Sequence, residues 1–416
     1  MNKIIAFLGD EELKPTTYIY KGKRAGSTRY LLTALAQHFY PGYAIRLLCT
    51  PEAEKRHLMD LRRELGDEAA RHLQIIPVQK VATENDLWDV FQVIQCQVED
   101  GDNIVFDITH SFRALPFLAF LALAYLRVIR SFGITAVTYA PYAQYERSEV
   151  YNIREFVELL DWIIAANLFT KTGFAAPMAD LLQGHDWGSS KANPADLERV
   201  TAALRLARPD EARQAAYRLA HSLADIESDA PPSQLRPFEA LLDRIRTEFA
   251  QIAPTEPDPN VLRQELEQEL AFVSWNMKRG QLMSAVTVAR EWLVSLVFYL
   301  DKNAAGENWR DGGQRDIAEK KVLKALKELA ILDVSERTRQ MGQKSPKASS
   351  LWAKNPICAE ALGRAWHLTA ELRNDLNHAG KVVSTSPRPL HDILTEAEQV
   401  PDLLRDLAIM TGLSSA

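Results

Sequence analysis

The chain has 416 residues, a formal net charge of −6, 47% hydrophobic residues and 25% charged residues. This is the composition of a globular protein, and it excludes a disordered or fibrous chain. At about 150 residues per domain, the length predicts two or three domains. The mild acidic excess argues against a general nucleic-acid coat protein, which depends on a basic surface, but it is compatible with a local basic pocket for a small anion.

Cysteine use and hydropathy narrow the class further. Cys49, Cys96 and Cys358 are far apart in the sequence and form no Cys-x-x-Cys pair, which argues against a thiolate zinc site and against a disulfide scaffold. The longest apolar run, residues 114–126, has thirteen residues, whereas a membrane-spanning helix needs about 20. The N-terminal residues show no leader pattern. We therefore expect a soluble cytoplasmic protein with no membrane partner.

Residues 1–155 alternate between short apolar runs and longer stretches with helical spacing. The runs have the length and β-branched content of buried strands. This alternation predicts a Rossmann-like α/β domain with a doubly wound parallel sheet. The predicted strands are 3–8, 45–49, 73–78, 104–108 and 134–139, with an edge strand at 149–153, and the predicted helices are 27–39, 51–65, 85–98 and 112–129.

The remainder of the chain has no convincing strand signal and predicts an all-α region. Pro-rich segments at 230–232 and 254–259 break helices, and the Gly-rich residues 303–316 predict a loop. The predicted helices are 156–169, 197–224, 260–299 with a break near Gly280, 317–332, 359–379 and 389–410. These patterns divide the chain into an α/β domain at 1–155, a helical connector at 156–265 and an all-α domain at 266–416.

Two loops of the α/β domain are candidates for ligand binding. Ligands of open parallel sheets bind beyond the carboxyl ends of the strands, where the strand order reverses. The first loop follows the first strand: it starts at Gly9 and Asp10 and continues as a polar stretch to Thr28, with a basic cluster at 20–24. A solvated loop face is the alternative interpretation of that cluster.

The second loop follows the fourth predicted strand and leads directly into an apolar helix. Free N–H groups at a helix start attract anions, and the helix dipole adds to this attraction. A planar guanidinium one turn further on can hold a phosphate through two parallel hydrogen bonds. The candidate ligand-binding residues of this loop are Thr109, His110, Ser111, Phe112 and Arg113. The alternatives are that Ser111 caps the helix and that Arg113 is solvated.

Motifs of common nucleotide enzymes are missing from this region. The first strand is not followed by Gly-x-Gly-x-x-Gly, and the chain has no Gly-Lys-Ser/Thr phosphate loop. Dinucleotide and ATP sites of those types are therefore poorly supported.

A second constellation lies near the C-terminus, where Arg373, Asn374 and His378 end a helical pattern closed by Gly380. Asn374 and His378 are i, i+4 neighbours, and Arg373 and His378 are turned about 140° apart on the helix. A histidine moves protons near neutral pH, and an arginine stabilises charge on a phosphorane-like transition state. Such a group suits metal-independent RNA cleavage by the ribose 2′-hydroxyl. The alternative is a surface histidine that caps its own helix.

Together, the two constellations resemble the CRISPR-associated CARF–HEPN ribonucleases of type III systems. The stretch 105–116, VFDITHSFRALP, is similar to the family's D-[apolar]-T-H-G-[apolar]-R-x-[apolar]-P pattern, and residues 7–9, FLG, also resemble the family. Arg373-Asn374-x-x-x-His378 is similar to the HEPN R-[polar]-x-x-x-H motif. Ser111 stands where the family has glycine, which narrows the room for a ligand backbone.

The resemblance implies a sensor followed by an effector. It implies that residues 1–155 form a CARF domain that binds a cyclic oligoadenylate, with cyclic tetra-adenylate as the expected ring, and that 266–416 form a HEPN ribonuclease domain. It also implies a homodimer, with one activator across the two-fold axis and two HEPN domains facing each other. The substrate is then single-stranded RNA, and neither a cofactor, a metal nor a stable DNA partner is expected.

The resemblance also gives the residues their roles. His378 acts in proton transfer, Arg373 holds or stabilises the scissile phosphate, and Asn374 orients the group. Three other functions stay open at this point. The chain could be a catalytically inactive cyclic-nucleotide sensor that binds a partner or regulates transcription, a sensor that degrades its own activator, or a nucleotide-dependent oxidoreductase.

Overall fold

The computed structural model describes residues 1–110, 115–141, 147–183, 194–224, 236–253, 255–256, 258, 261–301, 307–341, 345–377 and 388–413. The chain divides into two compact units, Met1–Asp161 and Trp162–Ala416. The first is an α/β unit and the second is a helical region. The boundary predicted between residues 265 and 266 lies inside the second unit, and the three-part division stays a prediction.

Strands of the first unit form two sheets. The described strands are β1 (Asn2–Leu8), β2 (Thr16–Tyr20), β3 (Lys23–Thr28), β4 (Ala44–Cys49), β5 (Leu73–Pro77), β6 (Asn103–Asp107), β7 (Gly133–Tyr139), β8 (Arg147–Glu149) and β9 (Tyr151–Asn152). The main sheet has the order β5-β4-β1-β6-β7-β9 and is parallel except for β9. Counted along the chain, this order is 3-2-1-4-5-6, which reverses between β1 and β6. The five predicted parallel strands are confirmed.

Helices cover both faces of the main sheet. On one face lie α1 (Leu31–Ala34, continued as a π-helix at Leu35–Phe39) and α2 (Pro51–Ala70). On the other lie α3 (Glu84–Cys96) and α4 (Leu115–Ile129). Because successive side chains of a strand point to opposite faces, Ile4, Ala6 and Leu8 of β1 enter the first core, and Ile5 and Phe7 enter the second. The predicted α/β fold is confirmed for this unit.

The helix predicted at 51–65 has both of its expected ends. The Thr50 hydroxyl accepts a hydrogen bond from the backbone nitrogen of Ala53 at 3.3 Å, which caps the first turn. At the other end, Gly66 adopts a φ of 70° and interrupts the helical backbone. A left-handed conformation of this kind favours glycine, since it has no Cβ.

The polar stretch before Thr28 is a β-hairpin, so its prediction as a loop is wrong. β2 and β3 pair antiparallel across Lys21 and Gly22, whose φ angles of 50° and 75° are typical of a two-residue hairpin turn. β2 also pairs with β8 in the small three-stranded sheet. The helix predicted to start at residue 27 starts only at Leu31, because residues up to Thr28 belong to β3.

Every element that the structure describes beyond residue 161 is a helix. The helices are α5 (Arg154–Thr172, which starts in the first unit), α6 (Ala176–Gln183), α7 (Pro194–Arg205), α8 (Pro209–Ala224), α9 (Arg236–Ala250), α10 (Leu262–Lys278), α11 (Leu282–Leu300), α12 (Gly312–Ile317, continued as a π-helix at Ala318–Leu323), α13 (Lys324–Ala330), α14 (Val334–Met341), α15 (Pro346–Lys354), α16 (Pro356–Asn377) and α17 (Leu390–Met410). The predicted helical region is therefore confirmed.

Two details of this region bear on the predictions. The expected break near Gly280 is confirmed, because Gly280 has a φ of 69° between α10 and α11. The loop predicted at 303–316 extends too far, because α12 already starts at Gly312. The Asp311 side chain caps this helix by accepting a hydrogen bond from the backbone nitrogen of Gln314 at 2.9 Å. An aspartate cap of this type starts a helix even among glycines.

The central helix of the second unit, α11, packs against α10 and α16. By length and composition it could cross a membrane, but 67% of its most apolar window is buried inside the protein. Burial of both faces explains its apolar composition, as in other core helices. The predicted cytoplasmic location stays a prediction.

We expect Gly363→Ala to lower the free energy of unfolding by about 1–3 kcal/mol, because overpacking forces backbone shifts. A Cβ at position 363 would lie 2.4 Å from the Leu326 carbonyl oxygen and 3.0 Å from Ala330 Cβ, both on α13. Gly312→Ala is the matched control, since a Cβ there meets no atom within 4 Å. Urea unfolding measures both, and equal midpoints for the two variants would contradict this close helix contact.

Candidate functional site

The carboxyl ends of β1 and β6 meet at the point where the strand order reverses. The two strands are paired in parallel, and Gly9 directly after β1 donates its N–H to the His110 carbonyl oxygen at 2.8 Å. A Cβ at Gly9 would lie 3.3 Å from that oxygen, so a larger residue would push the two loops apart. The structure thus brings together Gly9 and the Thr-His loop, as the sequence predicted.

Thr109 connects two backbone segments at this edge. Its N–H donates to Asp107 Oδ1 at 3.0 Å, and its hydroxyl oxygen accepts from the backbone nitrogen of Ala140 at 3.0 Å. Thr138 on β7 donates to the same carboxylate oxygen at 3.3 Å. The hydrogen-bonding groups of Thr109 therefore fix the loop after β6 against the loop after β7.

His110 joins the same edge to the start of α1. Its Nε2 accepts a hydrogen bond from the backbone nitrogen of Leu31 at 3.4 Å. Burial, and to a smaller extent the nearby charge of His57, lowers the pKa of His110 to about 4. The imidazole is therefore neutral at pH 7, and its proton lies on Nδ1, which leaves one N–H donor on the ring.

A second histidine lies close to this cluster. His57 on α2 is buried, and its Nδ1 is 3.3 Å from the Tyr30 hydroxyl. The two rings pack edge to face, with centroids 5.9 Å apart. Burial lowers the pKa of His57. The edge of the sheet thus contains two histidines for which the neutral form is favoured.

Asp107 is the buried carboxylate of the cluster, and the sequence interpretation did not select it. It is 1% exposed, and burial raises its pKa to about 6. Its second oxygen, Oδ2, has no hydrogen-bond partner among the described residues. Burial and the charge of Asp107 raise the pKa of Tyr18 as well. An acidic residue that ends an otherwise apolar strand was the signal that could have identified Asp107.

Of the remaining predicted ligand-binding residues, the structure describes only Asp10. Asp10 is half-buried, and its carbonyl oxygen accepts a hydrogen bond from Arg56 Nη1 at 2.6 Å. Ser111, Phe112 and Arg113 lie outside the described residues, so their roles stay predictions.

The second candidate site lies on α16. Arg373 is half-buried and makes no hydrogen bond or ion pair with any residue that the structure describes. Asn374 next to it is exposed. His378 follows the last described residue of the helix, Asn377, and lies outside the part of the chain described here. Neither Arg373 nor Asn374 is sealed in an apolar core.

All other charged side chains of α16 have partners. Glu360 pairs with Arg364 at 2.8 Å, Glu371 with Lys327 at 2.9 Å and with His367 at 3.7 Å, and Asp375 with Arg388 at 2.8 Å. The hydrogen bond from Lys327 lowers the pKa of Glu371. Arg373 therefore differs from its neighbours, because its guanidinium is not neutralised by a described carboxylate.

The side of α16 that carries Arg373 also carries Trp366, which packs against α11. The guanidinium of Arg290 on α11 lies 4.9 Å from the ring centroid of Trp366, and it also pairs with Glu291 and Glu319. Trp366 precedes Arg373 by two helical turns, so the two residues share one side of the helix. Within the described ranges, no group of three or more His, Cys, Asp or Glu side chains is arranged to hold a metal ion.

Comparison with known proteins supports part of the predicted identity. Residues 158–256 match the family model described as CRISPR-associated protein MJ1674, second domain. The matched segment is about a quarter of the chain and extends from within α5 to beyond α9. The match supports a CRISPR-associated protein. No curated protein matches the chain. Both candidate sites lie outside the matched segment, so the match does not bear on them.

We expect Asp107→Asn to stabilise the protein at pH 8 and to have little effect at pH 4. The folded-state pKa of about 6 is above the ordinary value, so the wild type loses stability as the pH rises through 6, and the neutral amide avoids this loss. The gain at pH 8 should be on the order of 1–3 kcal/mol.

Urea unfolding at the two pH values measures this difference. Asp402→Asn is the control at an exposed carboxylate and should change stability by less than about 0.5 kcal/mol at either pH. A gain for Asp107→Asn that is larger at pH 4 than at pH 8 would contradict a buried, ionised Asp107.

Proposed function

We propose that this CRISPR-associated protein is an endoribonuclease of type III antiviral defence that a cyclic oligoadenylate activates, with cyclic tetra-adenylate as the expected ring. It cleaves single-stranded RNA without a metal at a site formed by two HEPN domains. Arg373, Asn374 and His378 of each subunit form this site. The CARF activator site lies at the edge of the sheet where β1 and β6 end, and Arg113, which precedes the first described residue of α4 by two positions in the sequence, is its main cation.

The observation that supports the catalytic site best is that the guanidinium of Arg373 has no hydrogen-bond or ion-pair partner among the described residues. On a helix where every other charged side chain has a partner, one half-buried cation without a described carboxylate is available for an anion. Arginine suits a phosphodiester, since its planar fork matches two phosphate oxygens. Asn374 is exposed beside it and can contact the same substrate.

The proposed chemistry is an internal transesterification. His378 removes the proton of the ribose 2′-hydroxyl, whose oxygen attacks the adjacent phosphorus. The P–O5′ bond breaks, and the 5′-oxygen leaves with a proton supplied by the second imidazole of the dimeric site. Arg373 stabilises the charge on the pentacovalent transition state, and Asn374 orients the phosphate. The products are a 2′,3′-cyclic phosphate and a 5′-hydroxyl.

The geometry of the sheet edge supports an activator site in the α/β unit. Gly9, Thr109 and His110 use hydrogen bonds to hold three loops at the strand-order reversal, which is where ligands of doubly wound sheets bind. In this proposal the three residues position the loop, and the phosphate donors are Ser111, Arg113 and the N–H groups of the helix start. In this proposal the cyclic oligoadenylate is an allosteric ligand, and the reaction itself needs no cofactor.

An exposed apolar stripe supports a homodimer. Phe117, Leu121, Tyr125 and Val128 lie along one side of α4, and Phe117 and Val128 are each 69% exposed. A stripe with this spacing on the helix that follows the activator loop can pack against the same stripe of a second copy. A cyclic activator with two-fold symmetry would then contact the same loop of both subunits.

The first test is RNA cleavage in the presence of cyclic tetra-adenylate and EDTA. The wild type should cleave a quenched single-stranded RNA, and Arg373→Ala and His378→Ala should each lower the rate by at least about 100-fold, as loss of a transition-state contact does. Arg364→Ala is the matched control on α16, because this exposed arginine already pairs with Glu360.

Three results would count against the proposed mechanism. These are loss of cleavage in EDTA while the fold survives, equal losses in the control and in Arg373→Ala, and products without a cyclic phosphate. If the activator binds tightly and no RNA is cleaved, the chain is instead the catalytically inactive sensor.

The second test measures activator binding by titration calorimetry across cyclic tri-, tetra- and hexa-adenylate. Arg113→Ala should weaken binding of the preferred ring by about tenfold or more, since a charged hydrogen bond to phosphate is lost. Arg71→Ala is the control, because Arg71 is exposed and precedes β5 at the opposite edge of the sheet. Wild-type affinity in Arg113→Ala would contradict the proposed activator site.

A further inference from the structure

The second unit contains a polar cavity that neither candidate site uses. It lies between α9 and α10, next to the end of α5, and has a volume of about 580 Å³. This is within the range of about 300–1,000 Å³ that small-molecule sites occupy. Three hydroxyl side chains, three cations and two carboxylates are among the residues that line it: Thr170, Thr247, Ser274, Arg244, Lys278, Arg279, Asp243 and Glu248.

One wall of the cavity is rigid. The guanidinium of Arg279 lies 4.0 Å from the ring centroid of Trp275 and also pairs with Glu248. The indole packs directly on the backbone at Gly173, where a Cβ would lie 2.1 Å from Cη2 of the ring, and Gly173 has a φ of 71°. A residue other than glycine at 173 would displace the tryptophan.

This wall holds buried polar atoms without partners. Trp275 is 5% exposed and the side chain of Arg279 is 7% exposed. Among the described residues, neither Trp275 Nε1 nor Arg279 Nε has a hydrogen-bond partner. A buried N–H without a partner costs roughly 1–3 kcal/mol, so the packing of Trp275 and Arg279 in this wall carries a local cost.

The charges at the cavity favour an anion. Arg244 and Lys278 are exposed and have no hydrogen bond or ion pair with the described residues, whereas Asp243 already pairs with Arg246 at 3.2 Å. Burial, and to a smaller extent the charge of Arg244, lowers the pKa of Arg279 to about 10, so Arg279 stays cationic at pH 7. At the cavity, Arg244 and Lys278 therefore remain without a paired carboxylate among the described residues.

We propose that this cavity is a binding site for a small phosphate-bearing anion. Arg244 and Lys278 hold the phosphate oxygens, and the hydroxyls of Thr170, Thr247 and Ser274 supply further donors. The site recognises the phosphate rather than a base, because one face of Trp275 is covered by Arg279 and its edge packs on Gly173. No aromatic face among the lining residues is left free for stacking.

Titration calorimetry at fixed ionic strength tests the site with inorganic phosphate, AMP and uncharged adenosine. Phosphate and AMP should bind and adenosine should not. Lys278→Gln and Arg244→Gln should each raise the dissociation constant for phosphate by about tenfold, and the double variant should abolish binding. Lys324→Gln is the control, since Lys324 is exposed on α13 and does not line the cavity.

Each other outcome contradicts the proposal. If neither anion binds, the cavity is not a phosphate site. If the double variant binds phosphate like the wild type, the anion binds elsewhere, including the sheet edge of the first unit. If adenosine binds as tightly as AMP, the site recognises the base. Because Arg373 does not line the cavity, failure of the proposed RNA cleavage would leave these results unchanged.

Discussion

The hydrogen bond between Gly9 N and His110 O joins the two positions where the central strands leave the sheet, and it organises the first unit. β1 and β6 are parallel neighbours, and the strand order reverses between them, so the connections that follow them run to opposite faces. Thr109 adds the loop after β7 to this junction, and His110 adds the start of α1. Hydrogen bonds of the two consecutive residues Thr109 and His110 therefore join four connections at one edge of the sheet.

In the second unit, the ion pairs that carboxylates form determine which cations remain unpaired. Carboxylates on α16 and α9 are mostly used in ion pairs, and these pairs leave particular cations free: Arg373 on α16, and Arg244 and Lys278 at the cavity. An unpaired cation is costly when it is partly desolvated, which applies to the half-buried Arg373, whereas Arg244 and Lys278 are exposed and hydrated. Phosphate is the partner that suits all three residues, since RNA and small phosphate anions present paired oxygens.

The sequence predicted those parts of the fold that depend on local pattern. The five parallel strands are short, β-branched and flanked by long amphipathic stretches, so their period and length identified them. The hairpin at 16–28 was missed because its turn depends on two positive φ angles at Lys21 and Gly22, and Lys-Gly is a weaker signal than Asn-Gly. His57 was missed as a site residue because only the three-dimensional contacts bring an α2 histidine close to the end of β6, whereas the acidic end of an apolar strand could have identified Asp107. Arg373 was selected from its motif, but its lack of a described partner depends on which carboxylates other helices present, and no spacing in the sequence encodes that.

A buried carboxylate at a proposed anion site requires an electrostatic explanation. With a pKa of about 6, Asp107 is largely ionised at neutral pH, and its charge opposes any phosphate that approaches within about 10 Å. His110 cannot offset that charge, because burial keeps its imidazole neutral. The positive charge must therefore come from another residue, and Arg113 is the cation that the sequence supplies between the Thr-His loop and α4. An anion held by Arg113 would also favour the protonated form of Asp107, and linkage makes the effect reciprocal. The activator and one proton would then bind cooperatively at the same edge of the sheet.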